Sequence, residues 1–136
     1  MERLRPYPVT TFCALTLFIW VSRVWLAWTV ADGSLAQKLV TSVPITAFVV
    51  AAAVLLVAIL RGVDPATLWF VRTTQAFAAG TVLFWAIRLP QILLHDHPPA
   101  FKVVHTVLAA TSIAAAAWAW RAVGEAERGP ANLTEV

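Results

Sequence analysis

Acidic side chains are missing from every long apolar stretch of this chain. Its seven acids, Glu2, Asp32, Asp64, Asp96, Glu125, Glu127 and Glu135, fall before, between or after those stretches. A pair of carboxylates for acid–base chemistry is therefore excluded within the apolar region. Cysteine is limited to Cys13, which rules out an internal disulfide or a Cys-x-x-Cys pair and leaves a small packing residue. The five glycines are scattered and form no phosphate-cradling loop. No motif pairs a nucleophile with a base, so the reading leans away from an enzyme.

What fills the chain instead is hydrocarbon. Of 136 residues, 60% are hydrophobic and 12% charged, and seven are tryptophan, a residue type that gathers at membrane interfaces. Four apolar stretches, about 9–31, 39–60, 68–93 and 100–121, each reach the roughly 20 residues that a helix needs to cross a bilayer. The first is too long for a secretory signal core of roughly 7–15 residues, and it contains Arg23. The links between stretches are short, which makes sequential helices antiparallel. The expected fold is an all-α integral membrane protein: one membrane domain over 1–136, an up-down-up-down bundle of four transmembrane helices, with 122–136 as a mobile tail.

Charge orients the bundle. Placing both termini in the cytoplasm puts Arg3, Arg5, Arg61, Arg121 and Arg128 inside, with Arg72 close by, against Lys38 and Lys102 outside. The net charge of +3 follows from that bias and calls for no nucleic acid. The sequon Asn132-Leu133-Thr134 is idle on a cytoplasmic tail. Eight arginines to two lysines, with heavy use of alanine, suggest a bacterial source, and hence a plasma membrane.

The links carry breaker residues. Asp64-Pro65 and His97-Pro98-Pro99 read as helix starts, because proline is tolerated in a first turn. Ala47 with Ala51, Ala76 with Gly80, and Ala110 with Ala114 have the small-xxx-small spacing of close helix packing. Gln75, Thr73 and Thr74 offer interhelical hydrogen bonds, and Pro90 should kink or end the third helix.

An internal repeat adds a further expectation. Shifted by 65 residues, FCALTLFIWVSR lies on FAAGTVLFWAIR with identities Phe12/Phe77, Ala14/Ala79, Thr16/Thr81, Trp20/Trp85 and Arg23/Arg88. Phe, Thr, Trp and Arg fall on one helical stripe in each copy. A duplicated hairpin of this kind would be related by an axis along the membrane normal. Coincidence within a biased composition is the alternative.

Arg23 and Arg88 stand out because arginine at membrane depth is costly and marks interiors, cavities or the interface. Two readings are open. Each snorkels toward lipid phosphate with Trp20 or Trp85 three residues earlier along its stem. Alternatively the two form a clamp for an anionic headgroup or carboxylate in the outer half of the bundle, with Trp20 and Trp85 beside them and Lys102 and His105 joining Arg88 in a basic mouth. His95, Asp96, His97 and His105 could supply metal ligands, but their spacing matches no metal motif, and a solvated turn or a pH-sensitive loop explains them too. Haem ligation across the bundle lacks histidines on the first two spans.

The leading expectation is a non-enzymatic accessory or interaction subunit that docks on a larger membrane complex or on another copy of itself. The alternative is a binding or transport protein for an anionic or lipidic molecule. A metal-binding or redox subunit using His95, His97 and His105 is the third reading. No cofactor is expected apart from the metal of that last reading, and the lipid bilayer is the partner common to all three.

Overall fold

In the computed structural model, residues 6–29 and 32–129 are described. They form four helices: α1 (Tyr7–Thr29), α2 (Leu35–Leu60), α3 (Leu68–Leu94) and α4 (Pro99–Arg128). Each is long and apolar enough to cross a bilayer, and a third or less of each apolar window is buried inside the protein. The rest of the surface is also apolar, with Phe18, Val40, Trp25 and Leu94 among its most exposed side chains. This pattern suits lipid as solvent, since in lipid each helix satisfies its backbone internally and can leave apolar side chains outside. Arg3, Arg5, the tail beyond 129 and the sequon at 132–134 lie outside the described residues.

Local signals set the helix ends. Ser34 caps α2 in a reciprocal box: its hydroxyl accepts from the Gln37 N–H while the Gln37 side-chain oxygen accepts from the Ser34 N–H. Pro99 occupies the first turn of α4, as the sequence suggests. Asp64-Pro65 does not start α3. The Asp64 carboxylate accepts from the Ala66 N–H, and its backbone carbonyl from the Thr67 N–H, making a turn before Leu68. Gly62 precedes that turn at φ 75°, where a side chain would be strained.

Pro90 lies inside α3, which continues to Leu94, so the proline does not end the helix. One boundary differs from expectation. Segment 122–128, expected as tail, instead forms the end of α4, and Val123 is buried there against the core. Its Glu and Arg residues concealed a helix whose inner face remains small and apolar.

The helices form a ring in the order α1, α2, α3, α4. Packing is closest within the hairpins α1–α2 and α3–α4, looser between α1 and α4, and sparsest between α2 and α3. α4 approaches its neighbours through Ala109, Ser112, Ala116, Ala119 and Val123, whereas Ala110 and Ala114 face outward. The small faces of α2 and α3 do not close on one another as their spacing suggests. Phe48 stands over Gly80, where an added Cβ would lie 3.3 Å from the ring. A groove of about 450 Å³ runs along Ala47, Ala51 and Ala76.

α1 and α3 meet across the ring through large side chains. Phe12 stacks on Phe77 with centroids 4.4 Å apart, and Trp20 meets Trp85 at 5.8 Å. Thr16 and Thr81, buried between them, each return a hydroxyl hydrogen bond to the carbonyl four residues earlier, Phe12 at 2.8 Å and Phe77 at 3.0 Å. Residues matched by the 65-residue shift thus touch their own counterparts, as residues beside a two-fold axis do. The relation weakens at the periphery, where the α1–α4 contact is closer than α2–α3.

Candidate functional site

One end of the bundle carries the start of α1, the end of α4 and the α2–α3 link; the other carries the end of α1, the start of α2 and the α3–α4 link. The core is continuous at the first end, from Val9 and Phe12 to Val123. Toward the second it thins to Ile19, Trp20, Ile45, Trp85 and Ala109. Beyond that cluster a cavity of about 570 Å³ opens among all four helices. Pro44, inside α2, lines it. Because proline has no N–H, it cannot hydrogen-bond the carbonyl of Val40, another lining residue.

Trp20, Arg23, Trp85, Arg88 and His105 all line this cavity. The helical spacing explains the grouping: Trp and Arg three residues apart share a face, and α1 and α3 turn those faces toward one another. Trp20 and Trp85 form its floor with Phe84, whose ring meets both edge-on at 5.2 and 5.6 Å.

The two arginines have different partners. On α1, half-buried Arg23 reaches across to α4, where its Nη2 lies 3.5 Å from Nε2 of the buried His105. The other ring nitrogen, Nδ1, is 2.8 Å from the Phe101 carbonyl. A carbonyl oxygen can only accept, so Nδ1 carries the hydrogen and Nε2 offers its lone pair to the arginine. Arg88 is exposed, and its Nη1 donates to the Gln91 side-chain oxygen at 3.3 Å. That partner is on its own helix.

Two polar atoms within the core have no hydrogen-bond partner among the described residues, the Thr74 hydroxyl and the Trp85 indole N–H. The second belongs to a cavity-lining residue. Among the described residues no acidic side chain lines the cavity. Guanidinium and indole can donate but not accept, and the one imidazole lone pair is already engaged. The lining also holds Thr41, whose hydroxyl can accept, and Val40, whose carbonyl Pro44 cannot serve, so the cavity combines two guanidinium groups with few acceptors above an aromatic floor.

The remaining candidates serve the α3–α4 turn. Lys102, the third cation of the sequence reading, lies outside the cavity lining and donates to the Leu93 carbonyl at 2.9 Å, satisfying an orphan acceptor at the end of α3. The His95 ring nitrogen lies 2.7 Å from the Gln91 carbonyl. His97 and His105 sit on either side of Phe101, at centroid distances of 4.7 and 3.9 Å. Asp96 is exposed in the turn. Among the described residues no three His, Cys, Asp or Glu side chains come together in a way that could hold a metal ion.

The sequence reading gave no role to Phe84, Phe101 or Pro44. Phe101 carried a signal that could have been used, because His97, Phe101 and His105 follow at intervals of four along one helical face. Comparison with family models, curated proteins and solved structures finds no match. What is defined is a class: a small multi-pass membrane bundle with an arginine–histidine contact and an aromatic cluster at one end.

Proposed function

We propose that this bundle binds an amphipathic anion, with a carboxylate, phosphate or sulfonate headgroup between Arg23 and Arg88 and an apolar portion against Trp20, Phe84 and Ile45. The observation that carries the reading is the charge of the cavity, where two guanidinium groups face no acid among the described residues. A ligand rich in acceptors and negative charge complements that set, and arginine binds such groups with two parallel hydrogen bonds. The role is binding, or transport across the membrane, rather than catalysis. The positive-inside bias puts the cavity at the outer face of a plasma membrane. Docking on a larger complex or a second copy is less well supported, because an apolar exterior is what a bilayer demands of any such bundle.

Native mass spectrometry of gently extracted protein tests the reading. The wild type should retain an anionic amphiphile, and the Arg23→Gln/Arg88→Gln double variant should lose it while keeping its helix content by circular dichroism. Equal retention by both proteins, or retention of neutral lipid alone, would remove the arginine site from consideration.

A further inference from the structure

We infer that the cavity takes up its anion together with one proton, which His105 receives at Nε2. The inference rests on the cavity being the anion site and adds a coupling to it.

In the proton-free state His105 accepts from Arg23 and so occupies part of the guanidinium that would hold the anion. At 3.5 Å that contact is long for a hydrogen bond, which makes the arginine easy to release. Protonation at Nε2 removes the lone pair and sets two cations face to face. The Nδ1 hydrogen bond to Phe101 persists, so the ring keeps its place while Arg23 is freed toward the cavity. The step is a simple transfer: one proton from water adds to one nitrogen, and no bond within the protein breaks.

The charges around His105 make the linkage positive. Arg23 on α1 and Arg88 on α3 share its cavity, and α2 contributes Val40, Thr41, Pro44 and Ile45, none of them titratable. On α4 itself, Lys102 is one turn away and held by Leu93, while His97 lies beyond the Phe101 ring. With no acid among the described lining residues, a third cation there needs an anion to neutralise it. Anion binding therefore favours protonation, and by reciprocity protonation favours the anion. Histidine is the residue type whose unperturbed charge change falls between about pH 5 and 8, which suits an imidazole to such a coupling.

The test uses the full chain in nanodiscs of phosphatidylcholine and a long-chain alkyl sulfonate brominated at its tail. The probe is a strong acid, so its own charge is constant, and bromine quenches nearby tryptophan. Quenching affinity should rise by up to about tenfold per pH unit as pH falls through the histidine range, the limit for one proton per anion. In weakly buffered, mildly alkaline solution, addition of the sulfonate should raise the bulk pH by close to one proton per bound probe. This second readout needs no variant. His105→Gln should bind with an affinity independent of pH.

Binding without proton uptake, or an unchanged pH slope in His105→Gln, would overturn the coupling and leave the anion site standing. Absence of binding at every pH, or binding indifferent to Arg88→Gln, would instead remove the site on which the coupling rests.

Discussion

The two hairpins carry the same arginine at the same depth but give it different company. Arg23 of the first hairpin is half-buried and reaches a histidine on α4; Arg88 of the second is exposed and bonds within its own helix. The reason lies at the position that the 65-residue shift pairs with His105. There the first hairpin has Val40, which also lines the cavity and whose side chain has no polar atom to offer. Phe12 stacks on Phe77, Trp20 meets Trp85, and Thr16 and Thr81 make the same backbone hydrogen bond, so the stripe is shared and the clearest difference is at its end. A common aromatic stripe holds the bundle together, and one unmatched residue ties one arginine to α4 and leaves the other exposed and bonded only within its own helix.

The shared part should respond symmetrically and with the largest effect. Phe12→Ala and Phe77→Ala each remove one of two stacked rings from a fully packed region, which costs about 3–5 kcal/mol in stability. Unfolding in micelles followed by circular dichroism should give similar losses for both. If one substitution proved nearly neutral, the symmetry along the α1/α3 stripe would be confined to geometry and would carry no energetic meaning.

The same stripe shows how much was legible in the sequence. The four spans and the Phe-Thr-Trp-Arg spacing follow from helical periodicity, so the architecture and the neighbourhood of Trp20, Arg23, Trp85 and Arg88 could be read in advance. What joins α1 to α4 could not, because the Arg23–His105 pair is separated by 82 residues and depends on how far α4 is rotated. Reading Ala110 and Ala114 as the packing face missed by a single residue, and Ala109 is buried instead. In an alanine-rich helix several registers offer small faces, so composition alone does not choose among them. The groove beside Gly80 was hidden for another reason: small residues permit close approach but do not require it, and Phe48 took the space.

At the unmatched end, the halves should diverge. Arg23→Gln removes a long contact to His105 inside the bundle and should lower stability by about 0.5–1.5 kcal/mol. Arg88→Gln, at an exposed site, should stay within about 0.5 kcal/mol of wild type. The same unfolding experiment reads both. Equal losses would mean that the tied and the exposed arginine are not distinct in solution.

Giving Arg88 a histidine sharpens the comparison further. Val40→His restores the residue that the repeat places opposite His105, and an imidazole there would compete for the second guanidinium. A neutral-pH loss of sulfonate affinity worth one ordinary hydrogen bond, about 0.5–1.5 kcal/mol or roughly 2–10-fold, is expected. Unaltered affinity would show that Arg88 does not face α2 when the ligand binds.

Lys102 supplies the smallest effect and the cleanest separation between scaffold and site. Its ammonium caps the end of α3 through Leu93, a role worth about 0.3–1 kcal/mol at a helix C-terminus. Lys102→Ala should therefore lower stability by that amount, whereas Lys102→Arg, which retains a cation of similar reach, should recover most of it. Because the ammonium is outside the cavity lining and engaged by the Leu93 carbonyl, it does not contact the anion directly, and salt weakens its field there. Sulfonate affinity measured in ordinary salt should then be almost unchanged. A loss as large as that of Arg88→Gln would make Lys102 a third arm of the clamp, and the second hairpin would supply two of the cations that hold the ligand.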